Sequence, residues 1–209
     1  IELLQAKRLR AVADHVYRSN PIYRKLFDAR GVKPEDIRCL EDVSKLPMTN
    51  KNILRESYPL GLSCVPRREI AEMHMSSGST GTPVIMPYTN ADLSQWAECM
   101  ARCYRMAGGV PGDAVQITPL FGLFNGGFGM YHGARAAGLF VIPAGPGNTQ
   151  RQVRLAKDLQ TRILTGVVSY GIRIIEVMEE MGEKLPDLEV GIFGAEAFSE
   201  SMKKRISDG

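Results

Sequence analysis

Eight consecutive residues, Ser76-Ser77-Gly78-Ser79-Thr80-Gly81-Thr82-Pro83, concentrate hydroxyls and glycines between an apolar stretch (70–75) and a strand-like one (84–88). Such a segment suits a polyphosphate. Glycines let backbone N–H groups converge on an anion with no Cβ in the way, and hydroxyls add short hydrogen bonds to phosphate oxygens while staying neutral. A flexible Ser/Gly linker has a similar composition, but linkers seldom separate an apolar stretch from a strand. No Lys follows Gly81, so the pattern G-x-x-x-x-G-K-[ST] of the Walker loop is absent.

A second glycine-rich stretch spans 122–133 and contains Gly127-x-Gly129-x-x-x-Gly133 at the mouth of a predicted helix. Alone it is a weak dinucleotide fingerprint. That reading wants an acidic residue at the end of the following strand for the ribose hydroxyl, whereas this strand ends in Ile142-Pro143-Ala144-Gly145. Cys99 and Cys103 stand four residues apart on a predicted helix, but no CxxC or HxxxH lies nearby to complete a tetrahedral metal site. No metal-ligating residue is therefore assigned.

These segments need a scaffold. Between 3 and 27, Leu3, Leu4, Leu9, Val12, Val16, Ile22, Tyr23, Leu26 and Phe27 recur at helical intervals, interrupted at Pro21, which predicts two amphipathic helices. From 31 to 66 the chain breaks into short pieces punctuated by four prolines, with a helix capped by Thr49 or Asn50. Beyond Pro111-Gly112-Asp113, strands at 114–118, 139–143, 162–168 and 188–193 alternate with helices at 127–137, 150–160, 171–182 and 199–207. Thr149 and Gln152 read as a capping box on the 150–160 helix. Strands alternating with helices at this spacing need crossover connections. The expected fold is therefore α/β, a largely parallel sheet with helices on both faces, preceded by a helical and irregular N-terminal segment. The division expected is 1–70 for that segment and 71–209 for the α/β region.

The 209 residues are 44% hydrophobic, enough for a substantial core. Lys and Arg (26) exceed Asp and Glu (23) by three, with the charges scattered, which gives no electrostatic reason to expect nucleic acid or a membrane surface as partner. No apolar run approaches the roughly 20 residues that span a bilayer, and four irregularly spaced cysteines suggest reduced thiols, so a cytoplasmic setting is expected. The chain opens on Ile1 and closes on Gly209 with no helix stop or strand completed there, which reads as a piece of a longer polypeptide.

Taken in order, several motifs resemble one family. Pro21-Ile22-Tyr23-Arg24-Lys25 and Gly31-Val32-Lys33-Pro34-Glu35-Asp36-Ile37 look like its opening segment, and Tyr58-Pro59-Leu60-Gly61-Leu62 like its approach to the phosphate loop. His74-x-Ser76-Ser77-Gly78-Ser79-Thr80-Gly81-x-Pro83 looks like the phosphate loop itself. Gly122-Leu123-Phe124-Asn125-Gly126-Gly127, Gly147-Asn148-Thr149-x-Arg151-Gln152 and Gly194-Ala195-Glu196-x-x-Ser199-Glu200 follow as its pocket loop, a further signature and its nucleotide-side motif. The chain is similar, from about Asn20 onward, to the phenylacetate-CoA ligases, a branch of the adenylate-forming enzymes.

The resemblance implies that the chain is part of a large N-terminal adenylation domain. It implies a reaction in which an aromatic or other organic carboxylate attacks the α-phosphorus of ATP, giving acyl-adenylate and pyrophosphate, and coenzyme A then displaces AMP. Mg²⁺ would neutralise the phosphates. By position, Ser76, Ser77, Gly78, Ser79, Thr80 and Gly81 would hold the β- and γ-phosphates, and Gly194, Ala195 and Glu196 would line the adenine or the adenylate. Phe124, Gly126, Gly127 and Tyr170 would surround the acyl group. His132 is a further candidate for the pocket wall; His74 is given no proton-transfer role. A homodimer is among the oligomeric states left open.

Departures from the family pattern accompany these matches. Thr82 stands where many relatives carry Lys, Val167-Val168-Ser169-Tyr170-Gly171 replaces Thr-Pro-Ser-Tyr-Ala, and Ala197-Phe198 replaces Pro-Trp. The family's Tyr-Gly-x-[ST]-Glu motif with its Mg²⁺-linked Glu, its ribose-binding Asp and the catalytic Lys of its C-terminal domain do not occur in this sequence. No catalytic residue is assigned within the chain, which alone is expected to adenylate poorly. The rival readings are a related synthetase that passes the acyl group to a protein or AMP to a cofactor, and a non-catalytic nucleotide-binding module.

Overall fold

A computed structural model describes residues 1–76 and 81–209; Ser77, Gly78, Ser79 and Thr80 lie outside the described residues. The chain forms two compact units, Ile1–Asn90 and Ala91–Gly209.

In the first unit, α1 (Glu2–Ser19) and α2 (Pro21–Ala29) meet at Asn20. The Asn20 carboxamide oxygen accepts from Ile22 N (2.9 Å) and Tyr23 N (3.2 Å), capping α2, while its NH2 donates to the carbonyls of Gly61 (2.8 Å) and Ser63 (3.0 Å). One buried side chain thus both starts a helix and fastens the Pro-rich segment. Ala13, Phe27 and Ile37 form a small core with Leu9, Val16 and Leu46 around it. Asn50, rather than Thr49, caps α3 (Lys51–Glu56), accepting from Asn52 N and Ile53 N. Strand β1 (Glu72–Met75) pairs antiparallel with β2 (Ile85–Tyr88) in the register Met75↔Ile85. The Ser/Gly loop therefore joins the arms of a hairpin, where the sequence led us to expect it ahead of the first strand. Ser76 extends the ladder, its N–H donating to Val84 O (3.0 Å) and its Oγ accepting from Val84 N (2.9 Å).

The second unit holds the parallel sheet. Helix α4 (Asn90–Met106) leads to β3 (Ala114–Ile117), α5 (Asn125–Ala136), β4 (Phe140–Ile142), α6 (Thr149–Asp158), β5 (Ile163–Val167), α7 (Val168–Met181), β6 (Val190–Gly194) and α8 (Glu200–Asp208). The strand order is β4-β3-β5-β6, every pair parallel. Because alternate residues of a strand face opposite ways, each strand serves two layers. Val115, Ile117 and Ile163 pack with Ala101 and Tyr104 of α4 and Ala134 of α5. Leu164 packs with Val153 of α6 and with Ile174, Val177 and Met178 of α7. Helices thus cover both faces, and each fully buried Val or Ile contributes roughly 1.5–3 kcal/mol to holding them there. Burial also pushes the Tyr104 phenol, whose OH donates to Met130 O (3.1 Å), far above the usual tyrosine range.

At the amino ends of the strands one guanidinium links three segments. Arg162, just before β5, donates to Asp113 Oδ2 (2.6 Å) before β3, to Glu189 Oε2 (2.8 Å) before β6 and to Gly108 O (3.0 Å). The predicted capping box on α6 is corrected: the N-cap is Asn148, whose side chain accepts from Arg151 N (3.1 Å). Gln152 has the spacing of a box but faces the core, fully buried. Among the described residues no helix is long and apolar enough to cross a membrane.

Candidate functional site

The chain leaves β3 for β4 on one side, under α5, then crosses to β5 on the other side of β3 by way of α6 on the opposite face. Connections therefore diverge at the carboxyl ends of β3 and β5, the place where an open parallel sheet leaves a crevice for a ligand. A cavity of about 450 Å³ lies there. Thr118, Pro119 and Leu120 after β3 form one side of it, Phe124 and Gly126 the head of α5, Pro146 the segment after β4, and Val167, Ser169 and Tyr170 the head of α7. Among the described residues no Lys or Arg lines it. A larger hollow of about 920 Å³ runs along α7, β6 and α8, but none of the described residues assigned from the sequence to phosphate, adenylate or acyl binding lines it.

Three of the four proposed acyl-side residues, Phe124, Gly126 and Tyr170, meet in the 450 Å³ cavity. Phe124 occupies the N-cap of α5 and is 41% exposed, so its ring is available to a ligand. A Cβ on Gly126 would touch Pro119 Cβ at an ordinary 3.6 Å and nothing closer among the described residues. Gly127 is different: it is buried, and its Cβ would come within 2.6 Å of the Leu120 carbonyl oxygen. It does not line the cavity; it lets α5 lie against the backbone that does. The other glycines of the run serve packing too. A Cβ on Gly133 would meet Met100 Cβ at 2.3 Å, and one on Gly129 the Trp96 ring at 2.6 Å, so this face of α5 is stripped for contact with α4. His132 packs among Trp96, Phe128 and Tyr131 and is not in the cavity wall.

Beside the cavity, β6 ends at Gly194, paired with Val167. Ala195 then adopts φ 66°, unusual for a residue with a Cβ. That turn brings the Glu196 carboxylate back to the head of α7, where one oxygen accepts from Ser169 N–H (2.9 Å) and the other from Ser169 Oγ–H (2.9 Å). A negative charge at a helix amino end is favourable. Glu196 is thus a capping carboxylate in this structure, placed next to a cavity residue. In the hairpin, His74 is buried with Nε2 2.7 Å from Glu72 Oε1 and its ring edge-on to Tyr88, and Gly81 has φ 125°.

No protein-family model matches the chain. Over 205 residues it is 42% identical to a phenylacetate-coenzyme A ligase of Aromatoleum evansii, and over 204 residues 41% identical to one of Pseudomonas putida; each match covers 97% of this chain. The chain is thus similar, over almost its whole length, to part of the phenylacetate-CoA ligases. It spans about half the length of these curated relatives, 47% and 46% respectively. Among solved structures, an open conformation of 2-hydroxyisobutyryl-CoA ligase in complex with 2-HIB-AMP and CoA superposes with a TM-score of 0.91 at 28% identity, covering 99% of this chain and 50% of that one. The fold is that of an adenylate-forming ligase domain. Outside the motifs, sequence reasoning passed over Thr118, Pro119, Leu120 and Pro146. Their only signal is position, since all follow the carboxyl end of a strand.

Proposed function

We propose that this chain is the acyl- and phosphate-binding part of an ATP-dependent acid-thiol ligase acting on a carboxylic acid with a flat, apolar body. The observation that carries this reading is the cavity at the β3–β5 crevice, where Phe124, Gly126 and Tyr170 meet. Its size fits an aryl or small branched acid, its walls are mostly apolar, and the Phe124 and Tyr170 rings offer faces for stacking. The acid's carboxylate would lie toward the heads of α5 and α7, whose dipoles favour negative charge.

The reaction joins the carboxylate oxygen to the α-phosphorus of ATP and breaks the bond to the β-phosphate oxygen, releasing pyrophosphate. The CoA thiol then attacks the acyl carbon, its proton is lost, and AMP leaves. This chain's contribution is positioning. Residues 76–81 would bind the β- and γ-phosphates through backbone N–H groups and hydroxyls, and Gly194, Ala195 and Glu196 would border the adenylate. Shielding the acyl carbon in an apolar cavity would keep water from the adenylate before the thiol arrives. Mg²⁺ would offset the charge of the triphosphate; among the described residues no three His, Cys, Asp or Glu side chains converge to hold it, so no step is assigned to it here. Cys39, Cys64, Cys99 and Cys103 are free thiols, which supports a reducing, cytoplasmic setting.

A pyrophosphate-release screen of the full-length protein over aryl and aliphatic acids, with and without CoA, tests the reading. Acid-dependent release followed by CoA-ester formation is expected; release from no acid would end it. Substituting Ser79→Ala with Thr80→Ala should raise KM for ATP by about a hundredfold or more, since each of the two hydroxyl bonds to a charged phosphate is worth roughly 1.5–3 kcal/mol, while leaving the melting temperature unchanged.

A further inference from the structure

Two glutamines occupy positions where a core is ordinarily apolar. Gln116, on β3, and Gln152, on α6, are both fully buried. A buried amide left without partners costs roughly 1–3 kcal/mol, and here each has them. Gln116 Nε2 donates to Gln152 Oε1 (2.5 Å) and to Gln152 O (3.1 Å), and Thr161 Oγ1 donates to Gln116 Oε1 (3.3 Å). Gln152 Nε2 in turn donates to the carbonyls of Gly145 (2.6 Å) and Gly147 (3.4 Å).

Those two carbonyls flank Pro146, a wall of the cavity. The turn that carries Pro146 is built from left-handed residues, Gly145 at φ 67°, Gly147 at φ 86° and Asn148 at φ 45°, so it has little intrinsic preference for one shape. Gly145 N–H is tied to Ile117 O (2.9 Å). From the cavity side the Tyr170 hydroxyl reaches Gly147 O (3.4 Å) and lies 3.5 Å from Thr149 Oγ1. Gly147 O is therefore shared between Gln152 beneath the turn and Tyr170 in the cavity wall. The run Gly147-Asn148-Thr149-x-Arg151-Gln152 acquires a physical meaning: glycine makes the turn, Asn148 starts α6, and four residues later Gln152 points back under the turn.

We propose that Gln152 is a positioning residue for acid selection, holding Pro146 through the carbonyls on either side of it, and the Tyr170 ring through Gly147, at the separation that decides which acyl group fits. This rests on the reading of the cavity as the acyl site. The buried pair serves more than core stability: Gln116 anchors Gln152, and Gln152 anchors the wall.

The test uses the full-length protein and three variants. Gln152→Met removes both donors at similar size. Gln116→Leu with Gln152→Met removes the two amides together, so neither faces an orphaned amide partner, although Gly145 O, Gly147 O and Thr161 Oγ1 each lose a bond and some stability goes with them; a retained cooperative melting transition shows that the turn has lost its anchor in a folded protein. Gln116→Leu alone leaves the donors to Gly145 and Gly147 in place. The first two are expected to raise KM for the preferred acid by about tenfold and to flatten the preference between bulky and small acids, with KM for ATP and kcat changed less than about twofold. Gln116→Leu should lower the melting temperature and shift acid preference less than either Gln152 variant, because the donors to Gly145 and Gly147 remain. An unchanged preference in the double variant, or an equal rise in KM for ATP, overturns the proposal. Phe124→Ala separates the two levels of the argument. If it leaves KM for the acid unchanged, the acyl-site reading itself fails; if it raises KM while the Gln152 variants do not, only the role of Gln152 fails.

Discussion

Adding one carbon at Gly126 should change what the cavity accepts without harming the fold. A Cβ there meets nothing nearer than Pro119 Cβ at 3.6 Å among the described residues, an ordinary contact, and Ala is favoured over Gly inside a helix by up to about 1 kcal/mol, less in the first turn where Gly126 sits. Gly126→Ala should therefore melt at or slightly above the wild-type temperature. The same methyl narrows a cavity lined by this residue, and one methylene in an apolar pocket is worth roughly 1–3 kcal/mol, or about 10–200-fold in kcat/KM. The loss should fall on the bulkiest acids and spare a two-carbon acid. Gly133→Ala is the contrasting perturbation. Its Cβ would lie 2.3 Å from Met100 Cβ and 2.8 Å from the Met100 carbonyl carbon, and a clash with backbone has no flexible end to yield. Overpacking of about 1–3 kcal/mol or more then outweighs the gain of about 1 kcal/mol in helix propensity. Thermal unfolding of both variants, with pyrophosphate release measured for an aryl and a two-carbon acid, gives the comparison. A Gly126→Ala protein as destabilised as Gly133→Ala, or one with an unaltered aryl preference, would refute the reasoning.

Two further expectations follow from single side chains. Glu196→Ala removes both acceptors of Ser169 and should destabilise the second unit by about 1 kcal/mol in urea unfolding, with Glu196→Gln recovering part of it; an Ala variant as stable as wild type would mean the cap contributes nothing. Tyr104→Phe should cost about 1 kcal/mol near neutral pH. Since the folded phenol titrates above the unfolded one, Tyr104 supports the fold fully below about pH 10 and progressively less above it, so the Phe variant should show a shallower alkaline fall in melting temperature.

The alternation of elements in the second unit was legible because strands buried on both faces read as short apolar runs, and amphipathic helices separate them. What depended on distant residues was not. Helix α7 was expected from 171 and begins at Val168, with the Ser169 N–H received by Glu196, 27 positions along the chain; nothing local announces that partner. Gln152 matched a capping pattern, yet its burial against Gln116 is a tertiary fact. Residues 122–127 of the glycine run read as a pocket loop, but a glycine that opens a cavity and one that admits a neighbouring helix look alike in sequence. Phe124, Gly126 and Tyr170 could be named in advance because they lie within motifs. The Thr118, Pro119, Leu120 and Pro146 walls acquire meaning only once β3, β4 and β5 stand side by side.

Arg162 gives the sheet a division of labour between its two ends. By bonding Asp113, Glu189 and the Gly108 carbonyl, it ties together the segments that lead into β3, β5 and β6 at the end of the sheet away from the crevice. Loops at the opposite rim are left to vary without shearing the ladder. Libraries randomised at Leu120, Phe124 and Pro146 should consequently return mostly folded proteins with altered acid tastes, whereas the same diversity centred on Arg162 should lower the melting temperature and leave acid taste as it was.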